Sequence, residues 1–168
     1  MPELSSSDKP ILVTHEANGV SRIRLNRPAQ RNAMNRAARA GIVQALDDCR
    51  GVAKVIIFEA EGPAFCAGID LKESAGSGGD PASDPMERRT TWVNVQAEIR
   101  DHPAIAIAAV NGFALGGGLT LVNTCDLAIA ADEATFGMPE LGFGVYPVVA
   151  GPSTQLRVSR KRASWLVL

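Results

Sequence analysis

Three consecutive glycines, Gly116-Gly117-Gly118, stand between an apolar run at residues 105–110 and a second apolar segment at residues 119–125. The first segment is short, partly β-branched and preceded by Pro103, which reads as a buried strand; the second opens directly after the glycines and reads as a helix. A strand that feeds a helix through residues without side chains lets backbone approach backbone closely. It also leaves the first amides of the helix without intrahelical acceptors and carrying a partial positive charge. The rest of the chain has to supply neighbours for that strand and that helix.

The remaining pattern supplies them as further strands and helices in alternation. Residues 11–25 carry β-branched side chains on both sides of Asn18-Gly19, which predicts a hairpin with a type I′ turn. Asn26-Arg27-Pro28 ends its second strand. Ala38, Ile42, Ala45, Leu46 and Cys49 recur at helical spacing within residues 35–50, with Asn32 or Asn35 as the cap. Val55-Ile56-Ile57-Phe58 reads as a strand buried on both faces. Residues 74–84, rich in Gly, Ser, Pro and Asp, read as a mobile surface loop, residues 90–100 as a helix, and residues 127–131 and 134–136 as two more strands. The expectation is one α/β domain over residues 1–168.

Composition removes several classes of function. Seventeen Lys plus Arg against eighteen Asp plus Glu leave a net charge of −1, too weak a field to gather nucleic acid or an anionic membrane. The apolar stretch at residues 104–122 is interrupted by Asn111 and four glycines, so no membrane partner is expected. Cys49, Cys66 and Cys125 are odd in number and widely spaced, which predicts buried thiols. Two histidines, His15 and His102, and no cysteine pair at ligand spacing predict no metal. Met1 to Pro10 is short and polar, with neither a secretory apolar run nor an Arg-rich amphipathic pattern, so a cytoplasmic location is expected.

A second small-residue turn, Ala64-Phe65-Cys66-Ala67-Gly68-Ile69-Asp70-Leu71-Lys72, follows the strand at residues 55–58. Alone it is only a corner. With the glycine run it offers two sets of backbone amides, and two amides converging on one carbonyl oxygen would stabilise an enolate there. Other glycine-rich chemistries fail on spacing. The third glycine of a dinucleotide fingerprint is missing, no Gly-Lys-Ser/Thr follows, and no Gly-x-Ser-x-Gly occurs. Glu140 follows Pro139 and stands among the apolar Met138, Leu141 and Phe143.

Three blocks together resemble the crotonase superfamily, the enoyl-CoA hydratase/isomerase family. They are Leu25-Asn26-Arg27-Pro28 with Asn32-Ala33-Met34-Asn35, then Ala64 to Lys72, then residues 103–147 with Asn111-Gly112, the triple glycine, Cys125-Asp126 and Pro139-Glu140. The resemblance implies a spiral of repeated ββα units, here without the C-terminal helical part. It implies an acyl-CoA substrate, with coenzyme A present only as part of that substrate and no covalently bound cofactor. It places the two oxyanion amides on Ile69 and Gly117 and the acid–base on Glu140. Ala67, Ile69, Asp70, Leu71, Lys72 and Gly117 fall where the family binds the acyl-CoA, and Arg27 or Lys72 would stand near its phosphates. The family also implies a homo-oligomer, a trimer or a dimer of trimers.

One departure narrows the chemistry. Hydratases of the family present two glutamates, and the first position is here Thr120, whose hydroxyl can hydrogen-bond but cannot act as a base near neutral pH. The dienoyl isomerases carry a further aspartate where Val148 stands. The single glutamate resembles Δ3,Δ2-enoyl-CoA isomerases and some hydratases of aryl-conjugated acyl-CoAs, with isomerisation slightly favoured. The alternative is a non-catalytic acyl-CoA-binding or assembly protein of the same fold. The apolar finish Trp165-Leu166-Val167-Leu168 gives the further expectation of a truncated chain or of an end docked on a partner.

Overall fold

The computed structural model describes residues 9–74 and 85–167, with the side chain of Ser74 left aside. The loop expected at residues 74–84 therefore lies almost wholly outside the described residues. Two sheets and a layer of helices make up the fold. The larger sheet has the order β1 (Ile11–His15), β2 (Val20–Leu25), β3 (Val55–Ala60), β5 (Ile105–Val110), β7 (Leu127–Ala130). The smaller has the order β4 (Ala64–Cys66), β6 (Phe113–Leu115), β8 (Phe136–Gly137). Among the described residues only β1 and β2 pair antiparallel, and every other strand pairing is parallel.

This order is a spiral. Each turn gives one strand to the large sheet, the next strand to the small sheet, and then helix. The first is β3, β4 and, after the short α2 (Leu71–Ser74) and α3 (Pro85–Arg89), α4 (Trp92–Arg100); the second is β5, β6, α5 (Gly117–Thr124); the third is β7, β8, a 3-10 turn (Pro139–Phe143) and α6 (Ala150–Gln155). Parallel pairing forces such crossovers, because a tight turn cannot join parallel strands. The spiral of ββα units that the family resemblance implies is what the described residues form.

The core lies between the large sheet and two helices. From α1 (Arg36–Cys49), Ala38, Ile42, Val43, Leu46 and Cys49 pack with Val95 and Ile99 of α4 and with Ile23, Leu25, Ile56, Phe58 and Ala108 of the sheet. Asn35 is the residue that caps α1, its side chain accepting from the Ala38 amide at 2.8 Å. Thr91 caps α4 in the same way. His102 is part of this core, with Nε2 donating to the Leu46 carbonyl and Nδ1 accepting from the Ala104 amide. The three cysteines are buried and free, and burial pushes the thiols of Cys66 and Cys125 up to about 12.

Two local expectations change. The hairpin is not a type I′ turn: only Gly19 has positive φ, 82°, and the Gly19 amide bonds the Glu16 carbonyl while the Glu16 amide bonds the Val20 carbonyl. That is the longer hairpin loop in which one left-handed glycine follows a type I turn, so Asn18 keeps an ordinary φ. β3 and β5 are buried on one face only, with Ile105 51% exposed. The other face carries Arg22 and Arg24 of β2, which pair with Glu59 at 3.1 and 2.6 Å, and no layer of the described residues covers it.

Asn32 does not cap α1 but locks the segment before it. It is buried at φ 56°, accepts from the Arg27 amide and donates to the carbonyls of Glu61 and Ala64, each at 2.8 Å. Asn32→Ala leaves three backbone groups unpaired at a left-handed position, and a loss of roughly 2–4 kcal/mol in denaturant unfolding is expected. A loss below about 0.5 kcal/mol would show that Asn32 holds nothing. A second clamp joins α1, α3 and α4: Arg89 bonds both oxygens of Asp47 at 2.7 Å and Glu98 at 2.6 Å. These bonds hold both carboxyls below their ordinary range. Depressed folded values mean that the clamp's contribution is present above about pH 4 and lost as the pH falls further. Melting temperature should fall on acidification through that range, and Arg89→Gln should flatten the slope.

Candidate active site

The first wall of the site is the turn after β4. Gly68 has φ 99°, and the Ala67 amide bonds the Arg31 carbonyl at 3.0 Å. The segment after Asn32 flanks the turn, with Met34 donating to the Gly68 carbonyl at 2.8 Å and the Asp70 amide donating to the Met34 carbonyl at 3.2 Å. Arg27 closes the clasp by donating to the Asp70 carboxylate at 3.2 Å and to the Ala33 carbonyl. The amides of Ala67 and Asp70 are thereby used. Among the described residues, the Ile69 amide between them meets no acceptor.

The second wall is the start of α5. Gly117 is its first residue, so its amide has no partner within the helix. The glycines let the two walls touch. A Cβ at Gly117 would lie 3.2 Å from the Ile69 nitrogen, and one at Gly118 would lie 2.3 Å from the Cys66 carbonyl oxygen. The Gly116 amide is anchored instead, donating to the Gly137 carbonyl at 2.9 Å. Two free amides on two different turns therefore stand side by side.

Glu140 comes to the same place from the 3-10 turn. Its carboxylate occupies the space that a side chain at Gly116 would need, with Oε1 2.6 Å from the ideal Cβ position. Its Oε2 is buried without a hydrogen-bond partner. A cavity of about 290 Å³ opens here, lined by both turns, by Thr120 and Glu140, and otherwise by apolar groups such as Trp92, Phe143 and Val148. Buried polar atoms without partners are uncommon, and where they face a cavity they mark a place for a ligand.

The sequence model of the family described as Enoyl-CoA hydratase/isomerase matches residues 15–168. The chain belongs to the enoyl-CoA hydratase/isomerase family. It is 34% identical over 156 residues to the rat (Rattus norvegicus) enoyl-CoA hydratase domain-containing protein 3, mitochondrial, covering 89% of this chain and 51% of that protein. It is 35% identical over 161 residues to 2,3-dehydroadipyl-CoA hydratase of Escherichia coli K12, covering 94% of this chain and 61% of that one. Among solved structures, AtuE of Pseudomonas aeruginosa superposes with a TM-score of 0.81 at 33% identity, over 95% of this chain and 62% of that chain. The chain thus spans about half to three-fifths of the length of the curated relatives it matches.

Within this crotonase fold, the sequence-derived candidates separate into two groups. Ala67, Ile69, Leu71, Gly117, Thr120, Pro139 and Glu140 line the one cavity. Asp70 and Lys72 do not: Asp70 is held in the Arg27 clasp, and Lys72 is exposed on α2. Arg27 forms that clasp and braces the Ile69 turn. Among the described residues, no group of three or more His, Cys, Asp or Glu could hold a metal ion, and no helix is long and apolar enough to cross a membrane.

Sequence reasoning missed the apolar wall. Trp92 sits in a stretch that reads only as an amphipathic helix. Phe143, Val145, Tyr146 and Val148 were not read as a wall, although four large side chains of apolar character in six consecutive residues were a signal. Crowding at the glycines is directly checkable. Gly118→Ala should destabilise severely, because the clash is with rigid backbone, while Gly142→Ala, with nothing within 4 Å of its Cβ position, should melt within about 1 °C of the parent. Equal tolerance of the two would contradict the close approach of the walls.

Proposed function

We propose that the chain binds an acyl-CoA thioester with its carbonyl oxygen between the amides of Ile69 and Gly117, and that Glu140 shifts protons beside it. The observation that carries this reading is the convergence, on one apolar cavity, of two amides without acceptors and a carboxylate oxygen without a donor. Two hydrogen bonds to the thioester oxygen draw charge from the adjacent carbon and make its proton removable, giving an enolate that the same amides stabilise. Losing one such donor typically costs about 3 kcal/mol of transition-state stabilisation.

A single carboxylate suffices for moving a double bond. Glu140 takes the proton from C2 of a 3-enoyl thioester, the electron pair shifts to leave the double bond between C2 and C3, and the same proton returns at C4. Hydration of a 2-enoyl thioester by the same carboxylate is the other outcome the site allows. Thr120 adds no second base, which favours isomerisation over two-carboxylate hydration. The 2,3-dehydroadipyl-CoA hydratase relative supports the acyl-CoA class without fixing the acyl group. A homo-oligomer, trimer or dimer of trimers, in the cytoplasm belongs to the same reading.

Glu140→Gln keeps the shape of the side chain and removes its basicity. It should abolish turnover of 3-enoyl-CoA and 2-enoyl-CoA while leaving the dissociation constant for acyl-CoA within about threefold of the parent. Near-normal turnover by that variant would overturn the assignment of Glu140. Parent protein that binds acyl-CoA tightly and converts neither substrate would establish the binding-protein alternative.

A further inference from the structure

Thr120 lines the cavity where a second carboxylate is expected, and its hydroxyl bonds within its own helix. It is fully buried and donates to the Gly116 carbonyl at 3.1 Å, the same oxygen that accepts from the Thr120 amide at 3.0 Å. That carbonyl belongs to the peptide unit whose other half is the Gly117 amide. The unit is planar, so fixing the direction of its C=O fixes the opposite direction of its N–H. A carbonyl that accepts two hydrogen bonds also polarises its own peptide and makes the N–H a stronger donor.

We infer that Thr120 is a positioning residue, whose hydroxyl aims and strengthens the Gly117 amide by pinning the other end of the same peptide. The inference rests on the reading of Ile69 and Gly117 as the pair that holds the thioester oxygen. Threonine hydroxyls in helices often bond back to the carbonyl four residues earlier, and Thr124 does so to Thr120 at 2.8 Å. What separates the two is the peptide they reach. Thr120 reaches the one peptide of α5 whose amide faces the Ile69 turn, whereas Thr124 reaches a peptide inside the helix. Thr124 is therefore an internal control of the same chemistry.

The test is the carbonyl ¹³C resonance of butanoyl-CoA labelled at the thioester carbon, measured free and at saturation with protein. Polarisation by two amides moves that resonance downfield. The parent, Thr120→Ser and Thr124→Val should show the full displacement, and Thr120→Val should show no more than half of it while still binding the ligand. Thr120→Ala, which lacks the hydroxyl without adding a methyl, should repeat the loss should Thr120→Val fail to fold. Full displacement in the hydroxyl-free variants would overturn the role of Thr120. Equal loss in Thr124→Val would reduce that role to helix stability and overturn it too. No displacement in the parent would overturn the site reading itself, and this inference with it.

Discussion

The contact on which everything else depends is backbone against backbone, the Gly68-Ile69 turn packed on the first turn of α5. It exists because Gly117 and Gly118 have no side chains to hold the walls apart; a Cβ at Gly118 would fall 2.3 Å from the Cys66 carbonyl oxygen. The spiral explains why those two turns meet at all. β4 and β6 are neighbours in the small sheet, so the segments that leave them emerge at the same end of parallel strands. One leads to Ile69, the other to Gly117. Parallel pairing thus turns a sequence separation of nearly fifty residues into a distance of a few ångströms.

The two turns are held by different means. The glycine turn is fixed from within the spiral, by the Gly116 amide on Gly137 and by α5 itself. The Ile69 turn leans on the segment between β2 and α1, through the carbonyls of Arg31 and Met34 and the Arg27–Asp70 pair. Asn32 in turn fastens that segment to the start of β4. Arg27 and Asp70 are only 17% exposed at their side chains, which makes this pair less screened than the surface pairs of β2. The pair holds the geometry of the Ile69 turn.

Much of this was legible because glycine, proline and apolar spacing act locally. The α1 helix with a cap at Asn32 or Asn35, the strand at residues 55–58 and the strand–glycine–helix sequence around Gly117 follow from short-range rules. The placement of Ile69, Gly117 and Glu140 came from a resemblance, and the fold brings the three to one cavity. What was not legible depends on distant partners. Arg27 is indistinguishable from a solvated arginine until Asp70 is seen beside it, and Trp92 looks like any helix residue until the spiral sets it across from Phe143 and Val148. The open faces of β3 and β5 were missed for the same reason, since an apolar run does not say how many layers will cover it.

The position of a bound thioester oxygen decides the role of the two amides. A crystal structure of this protein with butanoyl-CoA measures it directly. The expected result is the thioester oxygen at about 2.7–3.1 Å from both the Ile69 and Gly117 nitrogens, with the Glu140 carboxylate facing the adjacent carbon. A thioester bound with its oxygen away from these two amides would contradict it.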